Sequence, residues 1–482
     1  MDIRKIRFLE PGERPYKRTM LNYFVYDRYI RTPSVGLNWL ATIVKGEYED
    51  TLMYSESISK IPKDDVTDAD VIFVGGIFTF NANRGYQLAR YFKKHTKAVV
   101  VLGGLHASMN YPEAARYGDF VLLGEGDESI LELLHALKQG GPVTVPGVAY
   151  RQGGRLVVTG QRKPPRNIDG IADRNLVYRY HDRVHYNTIW PQVHASRGCP
   201  HQCDYCALVR HFGRQVRTRS VKDVIEDIRQ SLAFFESGRF PRLLRGLWIT
   251  DDNFFADRQW AMAVLHGIIE AGIHTHFTVQ ARYEVGFDDE MLDLLKEAGF
   301  FELAMGIEFI DDRDFQAYHK KSTVEEVKRS IQNIQRHGLS VRGLFILGAD
   351  NNQKGIGRRL ADFVIENNIK GVLIQSMYFV PGTPAYESNK GRLLHKNWSK
   401  YNGCVVHYPP NITPYGLQLE HIYASRKIYS VKRLARALLF EDWMHKILFL
   451  GEFFWHKSIC MDLKKELPYL KMAFLESTRT AK

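Results

Sequence analysis

The sequence predicts a protein of two α/β units and a helical tail: a Rossmann-like, doubly wound sheet, then a partial (β/α)6 barrel, then helices. Three observations predict it. Short apolar runs alternate with amphipathic stretches in two separate regions, glycines cluster just after the apolar runs, and the pattern becomes purely helical near residue 391.

In the first region the strands are expected at Ile6–Leu9, Thr51–Tyr54, Val71–Gly75, Val99–Leu102 and Phe120–Leu123. Helices are expected at Val35–Lys45, Gly85–Lys94 and Glu128–Leu137, with a weaker one at Pro112–Arg116. Continuous apolar strands between amphipathic helices indicate a parallel sheet covered on both faces. Ligands of such sheets sit beyond the carboxyl ends of the strands. Those ends carry Gly75-Gly76, Gly103-Gly104 and Gly124-Glu125-Gly126, with Thr79 and His106 close by.

Residues 141–185 read as a connector, rich in proline and glycine, with a small hairpin of Gly147–Tyr150 and Leu156–Val158. The domain limits that follow are 1–140, 141–185, 186–390 and 391–482.

In the second region strands are expected at Val193–Ser196, Gly246–Thr250, His276–Ala281, Leu303–Ile307, Val341–Leu347 and Gly371–Tyr378. Helices are expected at Val221–Phe235, Arg258–Ala271, Asp289–Ala298, Val324–His337 and Arg358–Asn367. Six such units predict an open barrel with its active site at the carboxyl ends of the strands. Beyond it, Leu417–Leu439 and Trp443–Trp455 read as helices.

Composition narrows the function. Of 482 residues 45% are hydrophobic and 25% charged, which is ordinary globular usage. Three of the 5 cysteines fall within eight residues, which argues against a disulfide framework and for free thiols in a reducing compartment. A charged first stretch, Met1–Leu9, and the absence of a long uncharged apolar run predict a cytoplasmic protein without a membrane span. The net charge of +12 comes without any block of five or more consecutive basic residues, so no nucleic-acid partner is expected.

The chemistry lies in Arg197-Gly198-Cys199-Pro200-His201-Gln202-Cys203-Asp204-Tyr205-Cys206, directly after the first barrel strand. Thiolates hold iron–sulfur clusters, and a cubane normally takes four. Three cysteines leave one iron open to a cosubstrate. The other reading of the residues is zinc, with His194, His201 or His211 as fourth ligand.

The Cys-x3-Cys-x2-Cys loop, with Tyr205 before its last cysteine, resembles the signature of the radical S-adenosylmethionine (SAM) superfamily. The resemblance implies a [4Fe–4S] cluster on Cys199, Cys203 and Cys206, SAM on the open iron, and a 5′-deoxyadenosyl radical. Thr250–Phe254, Met305–Glu308, Leu344–Gly348 and Phe379–Pro384 stand where the superfamily surrounds SAM. Tyr205, Asp251, Asp252, Gln280, Arg282 and Glu308 are the residues this assigns to SAM or substrate.

The first region is similar to the cobalamin-binding domain that precedes the barrel in one class of this superfamily. Pro33–Leu37, Val101–Ala107, Pro112–Ala114 and Leu123–Glu128 carry the likeness. It implies that Gly75, Gly76, Thr79, Gly103, Gly104, His106, Gly124, Glu125 and Gly126 contact cobalamin. The Asp-x-His-x-x-Gly motif of cobalamin domains that supply a lower cobalt ligand does not occur here. Methylation of an unactivated carbon is the commonest reaction of the class. Oxidation, cyclisation, rearrangement, or a sensor that performs no chemistry are the alternatives.

A small-molecule or lipid substrate and a flavodoxin- or ferredoxin-like electron donor are the expected partners. Cations and apolar residues mix in Lys427–Leu439, beside the aromatic Trp443–Trp455, a pairing that suits either a membrane surface or a helical cap on the barrel.

Overall fold

The computed structural model describes residues 1–12, 32–182, 190–236 and 246–480. Its N-terminal sheet has seven strands: β1 (Lys5–Glu10), β2 (Asp50–Ser55), β3 (Val71–Val74), β4 (Val99–Leu102), β5 (Phe120–Leu122), β6 (Val148–Gln152) and β7 (Arg155–Val158). Their spatial order is β2-β1-β3-β4-β5-β6-β7. The first five run parallel, and the β6–β7 hairpin adds to β5 antiparallel. The hairpin expected inside a connector is therefore part of the N-terminal sheet. The order reverses at β1, which opens a crevice between β1 and β3 at their carboxyl ends.

Helices α1 (Val35–Lys45), α2 (Ala82–His95) and α3 (Ser129–Gln139) cover the two faces. Ser34 starts α1 by accepting a hydrogen bond from the Leu37 amide, and Leu37, Ala41 and Val44 turn inward. β3 is buried along its whole length, as a strand covered on both faces must be.

The second sheet has six parallel strands in the order β15-β14-β13-β12-β11-β8. They are β8 (Gln192–Val193), β11 (Gly246–Ile249), β12 (His276–Ala281), β13 (Phe300–Glu308), β14 (Ser340–Leu347) and β15 (Gly371–Ser376). Helices α4 (Val221–Glu236), α5 (Arg258–Glu270), α6 (Asp289–Glu297), α7 (Val324–Arg336) and α8 (Ile356–Glu366) follow β8 and β11 to β14 in turn. Sequential order with, among the described residues, a free strand at each end makes an open, partial barrel. The expected first strand, Val193–Ser196, is divided. After Val193 the chain leaves the sheet, and β9 (Ser196–Arg197) pairs antiparallel with β10 (Arg217–Thr218).

The C-terminal region differs from expectation in its breaks. Leu417–Leu439 is two helices, α9 (Pro414–Ile428) and α10 (Val431–Phe440), and α11 extends over Trp443–Thr480. These helices protect the free edge of β15, whose unpaired amides and carbonyls would otherwise template aggregation. The Tyr429 hydroxyl accepts from the Val372 amide at 3.0 Å. The His456 ring donates to the Val372 carbonyl at 3.0 Å and stacks on Tyr429. Arg342, on β14, is held between Glu302 and Glu452.

Removing the tyrosine hydroxyl leaves the buried Val372 amide without an acceptor. Tyr429→Phe is expected to lower the unfolding free energy by about 1–3 kcal/mol in urea titration; an unchanged midpoint would contradict this role.

Candidate functional site: a cavity between two sheets

The two units meet through a buried set of charges. Arg197, two residues before Cys199, donates to Glu125 at 2.6 Å and to Asp127 at 2.9 Å. Arg217 donates to Glu125 at 2.7 Å and to the carbonyls of Pro165 and Phe212. The Trp39 indole donates to Asp127. The side chains of Glu125 and Arg217 are only 3% and 5% exposed, so each charge depends on its partner. Glu125 and Asp127 come from the Gly-Glu-Gly-Asp turn after β5, and both arginines flank the cysteine loop. The network thus clamps that loop onto the N-terminal sheet.

Between the sheets lies a cavity of about 580 Å³. Its N-terminal wall is made by the strand ends: Glu10 to Gly12, Glu56, Gly75-Gly76, Gly103-Gly104 and Gly124 to Asp127. Its barrel wall includes His194, Arg197, His211, Thr250, Asp252 and Gln280. Gly104 has φ of 106°, and a Cβ there would stand 2.4 Å from the backbone nitrogen of Ile77. Only glycine is compatible with that turn, and the cavity floor stays bare of side chains there.

The loop itself needs Gly198. Its φ is 93°, and a Cβ would meet the Gln215 carbonyl oxygen at 2.3 Å. Two adjacent aspartates after β11 place it. Asp251 is fully buried, accepting from the Ala195 amide at 2.7 Å and the Ser196 hydroxyl at 2.6 Å. Burial pushes its carboxyl up to about 7. Asp252 accepts from the Gly198 amide at 3.1 Å and faces the cavity, with its carboxyl pushed up to about 6 by burial.

Cys199, Cys203 and Cys206 are half-buried, whereas Cys404 and Cys460 are buried among apolar residues of the C-terminal region. Burial raises the Cys199 thiol, and that of Cys206 to about 11. Buried thiols stay protonated unless a cation stabilises the thiolate, so metal binding here releases protons. The electrostatics suit an anionic thiolate-bound cluster, because Arg282 acts on Cys199 and Cys203, and Lys320 on Cys203. Lys320 is buried, lies 3.7 Å from Glu308 and donates to the Gly306 carbonyl. Burial raises the Glu308 carboxyl and lowers the Lys320 amine, each offsetting the other's charge. Glu308 has φ of 71°, a strained conformation for a non-glycine residue at a strand end. Tyr205 packs edge-on against Phe309 and Tyr318 behind the loop.

The structure sorts the expected site residues. Gly75, Gly76, Gly103, Gly104, Gly124, Glu125, Gly126, Asp252 and Gln280 are on the cavity wall. Arg282 and Glu308 gather with Lys320 beside the cysteine loop. Three others face away from the cavity. Both Asp251 oxygens are taken by the chain before the cysteines, which makes it a positioning residue. His106 is fully buried against Trp398, its ring bonded to Thr79 at 3.2 Å. The 3₁₀ turn Thr79–Asn81 sends Phe78 and Phe80 to the cavity and Thr79 behind it. The same layer joins Trp398 to Glu113 by a hydrogen bond of 2.7 Å.

Sequence reasoning missed Lys320 and the pair Arg197 and Arg217, and it weighed His194 and His211 only as zinc ligands. The signal for Lys320 was a Lys320-Lys321 pair shortly after the Glu308 strand end; nothing local marked the arginines as domain contacts.

The open six-stranded barrel carries three cysteines on the loop after its first strand, the arrangement that a radical SAM domain requires. Residues 193–356 match the family model of the Radical SAM superfamily, and the chain carries that domain. The bacteriochlorophyllide d C-12(1)-methyltransferase of Chlorobaculum tepidum is 23% identical over 375 residues, 78% of this chain and 77% of the relative. Two solved structures share the fold. OxsB, a cobalamin-dependent SAM radical enzyme with aqua-cobalamin and SAM bound, aligns with TM-score 0.69 at 13% identity, covering 100% of this chain and 75% of its own. TsrM, the radical SAM methyltransferase of Kitasatospora setae with cobalamin and a [4Fe-4S] cluster bound, gives 0.63 at 15% identity, covering 80% and 74%.

Two predictions follow from the geometry. Glu125→Ala strands Arg217 in a buried site and is expected to cost about 3–5 kcal/mol; thermal unfolding and protease cleavage between the sheets would report it. Asp251 has a raised carboxyl, so folded protein binds a proton that unfolded protein releases, and its contribution to stability is lost as pH rises from about 4 to about 7. Over that window Asp251→Asn is expected to gain stability relative to the parent protein, as followed by urea titration of the cluster-free chain.

Proposed function

We propose that this chain is a cobalamin-dependent radical SAM methylase, acting in the cytoplasm on an unactivated carbon of an apolar small molecule, lipids included. The observation that carries it is the cavity bounded by glycine-rich strand ends on one side and the barrel mouth on the other. When bound, a [4Fe–4S] cluster supplies the electron that cleaves SAM, and cobalamin carries the methyl group to be transferred.

In this reading Cys199, Cys203 and Cys206 hold the cluster and leave one iron for SAM. Glu308, Asp252 and Gln280 accept from the ammonium and hydroxyl groups of SAM, while Lys320 and Arg282 face its carboxylate. Gly75, Gly76, Gly103, Gly104, Gly124 and Gly126 let the corrin approach the backbone closely. Glu125 lines the same wall but spends its carboxylate on the two arginines. His194 and His211, kept neutral by burial, with the Arg197 charge acting the same way, each offer a donor and an acceptor, which match the amide groups at a corrin's edge. Leu37, Leu40, Phe78, Phe80 and Phe212 make the cavity apolar enough to exclude water around a hydrophobic substrate. A flavodoxin- or ferredoxin-like protein donates the electrons.

The test uses anaerobically reconstituted protein, with corrinoid, a strong reductant and SAM. The expected protein holds about four irons and forms both S-adenosylhomocysteine and 5′-deoxyadenosine. Formation of 5′-deoxyadenosine alone would replace methylation by another radical reaction. The Cys199→Ala, Cys203→Ala, Cys206→Ala variant is expected to lose its iron and both products; retention of either product would sink the reading.

A further inference from the structure

Helix α10 and the first turns of α11 present the reverse of an ordinary surface. On a soluble helix the outward face is polar and the inward face apolar. In α10 the side turned to the core is Leu434 with Ala437. Val431, Ala435, Leu438 and Leu439 share one outward face at helical spacing, and Val431 and Leu439 are 67% and 71% exposed. Phe440 at the corner is 78% exposed, and Trp443, Ile447 and Leu450 continue the exposed apolar surface along α11. Contiguous exposed apolar surface of this kind marks an interaction site.

The charges beside it have one sign. Residues 431–440 contain Lys432, Arg433 and Arg436 and no acidic residue. Lys432 and Arg436 are exposed, one helical turn apart, along the border of the apolar face. Of the two acids at the corner, Glu441 is engaged by Lys370 and Asp442 by His445. The face therefore joins large apolar side chains, a tryptophan at the rim and cations that form no ion pair among the described residues. Among the described residues no helix is long and apolar enough to cross a membrane.

We propose that the α10–α11 corner is a peripheral docking surface for an anionic lipid bilayer. Leu438, Leu439 and Phe440 enter the acyl boundary, Trp443 lies at the headgroup level, and Lys432 and Arg436 meet lipid phosphates. The corner lies at the end of the barrel where strands begin, because Trp443 packs on His276 and His445 on Phe301, at the starts of β12 and β13. The cysteine loop and cavity lie at the opposite end. Docking is thus an anchor rather than a substrate portal, and the cavity mouth stays turned from the bilayer. This holds whichever reaction the enzyme performs.

The test is co-sedimentation of the full chain with phosphatidylcholine vesicles, with or without about one third phosphatidylglycerol. Binding to the anionic vesicles is expected to exceed that to neutral ones by about tenfold and to fall with salt. A Leu439→Ser, Phe440→Ser variant is expected to lose about tenfold or more in binding while keeping its unfolding midpoint, since both side chains are exposed. A Lys432→Gln, Arg436→Gln variant is expected to lose only the preference for anionic lipid. Equal vesicle binding by the double-serine variant would overturn the proposal. So would absence of vesicle binding combined with a dimer that the same variant dissociates, which would assign the face to a second copy of the chain.

Discussion

Everything in the site hangs on one buried carboxylate. Glu125 accepts from Arg197 and Arg217 at once, with almost no access to solvent. A lone buried charge is costly, so a shift of one sheet against the other that breaks these pairs while the site stays buried is disfavoured. Arg197 lies two residues before Cys199, and Arg217 sits on β10, which pairs with β9 just ahead of the cysteines. The contact that joins the domains therefore also sets the position of the loop meant for the cluster. Asp251 and Asp252 complete this from the barrel side by holding Ala195, Ser196 and Gly198. Cavity and cysteine loop are two consequences of one electrostatic arrangement.

The arrangement explains the placing of polar groups around the cavity. Its floor is backbone and glycine, its barrel wall holds neutral histidines and a protonatable aspartate, and the strongest charges are paired off at the edges. A large neutral ligand fits such a lining better than a highly charged one. The charged set, Arg282, Glu308 and Lys320, is kept apart beside the cysteines, where an anionic cluster and the amino-acid end of SAM would need it.

Much of this was legible in the sequence. Periodicity located the strands of both sheets to within a few residues, because fully covered parallel strands read as continuous apolar runs. The glycines after β3, β4 and β5 pointed to the cavity wall, and the cysteine spacing to the loop beside it. What could not be read depended on distant partners. Nothing near Glu125 says that its carboxylate is taken by arginines about 70 and 90 residues away. Nothing near His106 says that Trp398 covers it. The hairpin β6–β7 looked like connector because joining β5 is a choice of topology, not of local pattern. The break between α9 and α10 was hidden by continuous helical periodicity; it falls where Ser430 is extended (φ −81°, ψ 156°) and the Tyr429 hydroxyl meets the edge of β15.

In the proposed reading the space between the two sheets would hold a corrinoid beside a cluster on the three cysteines. Anomalous diffraction at the cobalt and iron edges, from anaerobic crystals grown with cobalamin, tests it most directly. The expected map has one cobalt peak in the cavity, between Gly104 and Asp252, and one iron cluster at Cys199, Cys203 and Cys206. Iron at the loop with no cobalt in the cavity, or cobalt bound elsewhere on the chain, would contradict it.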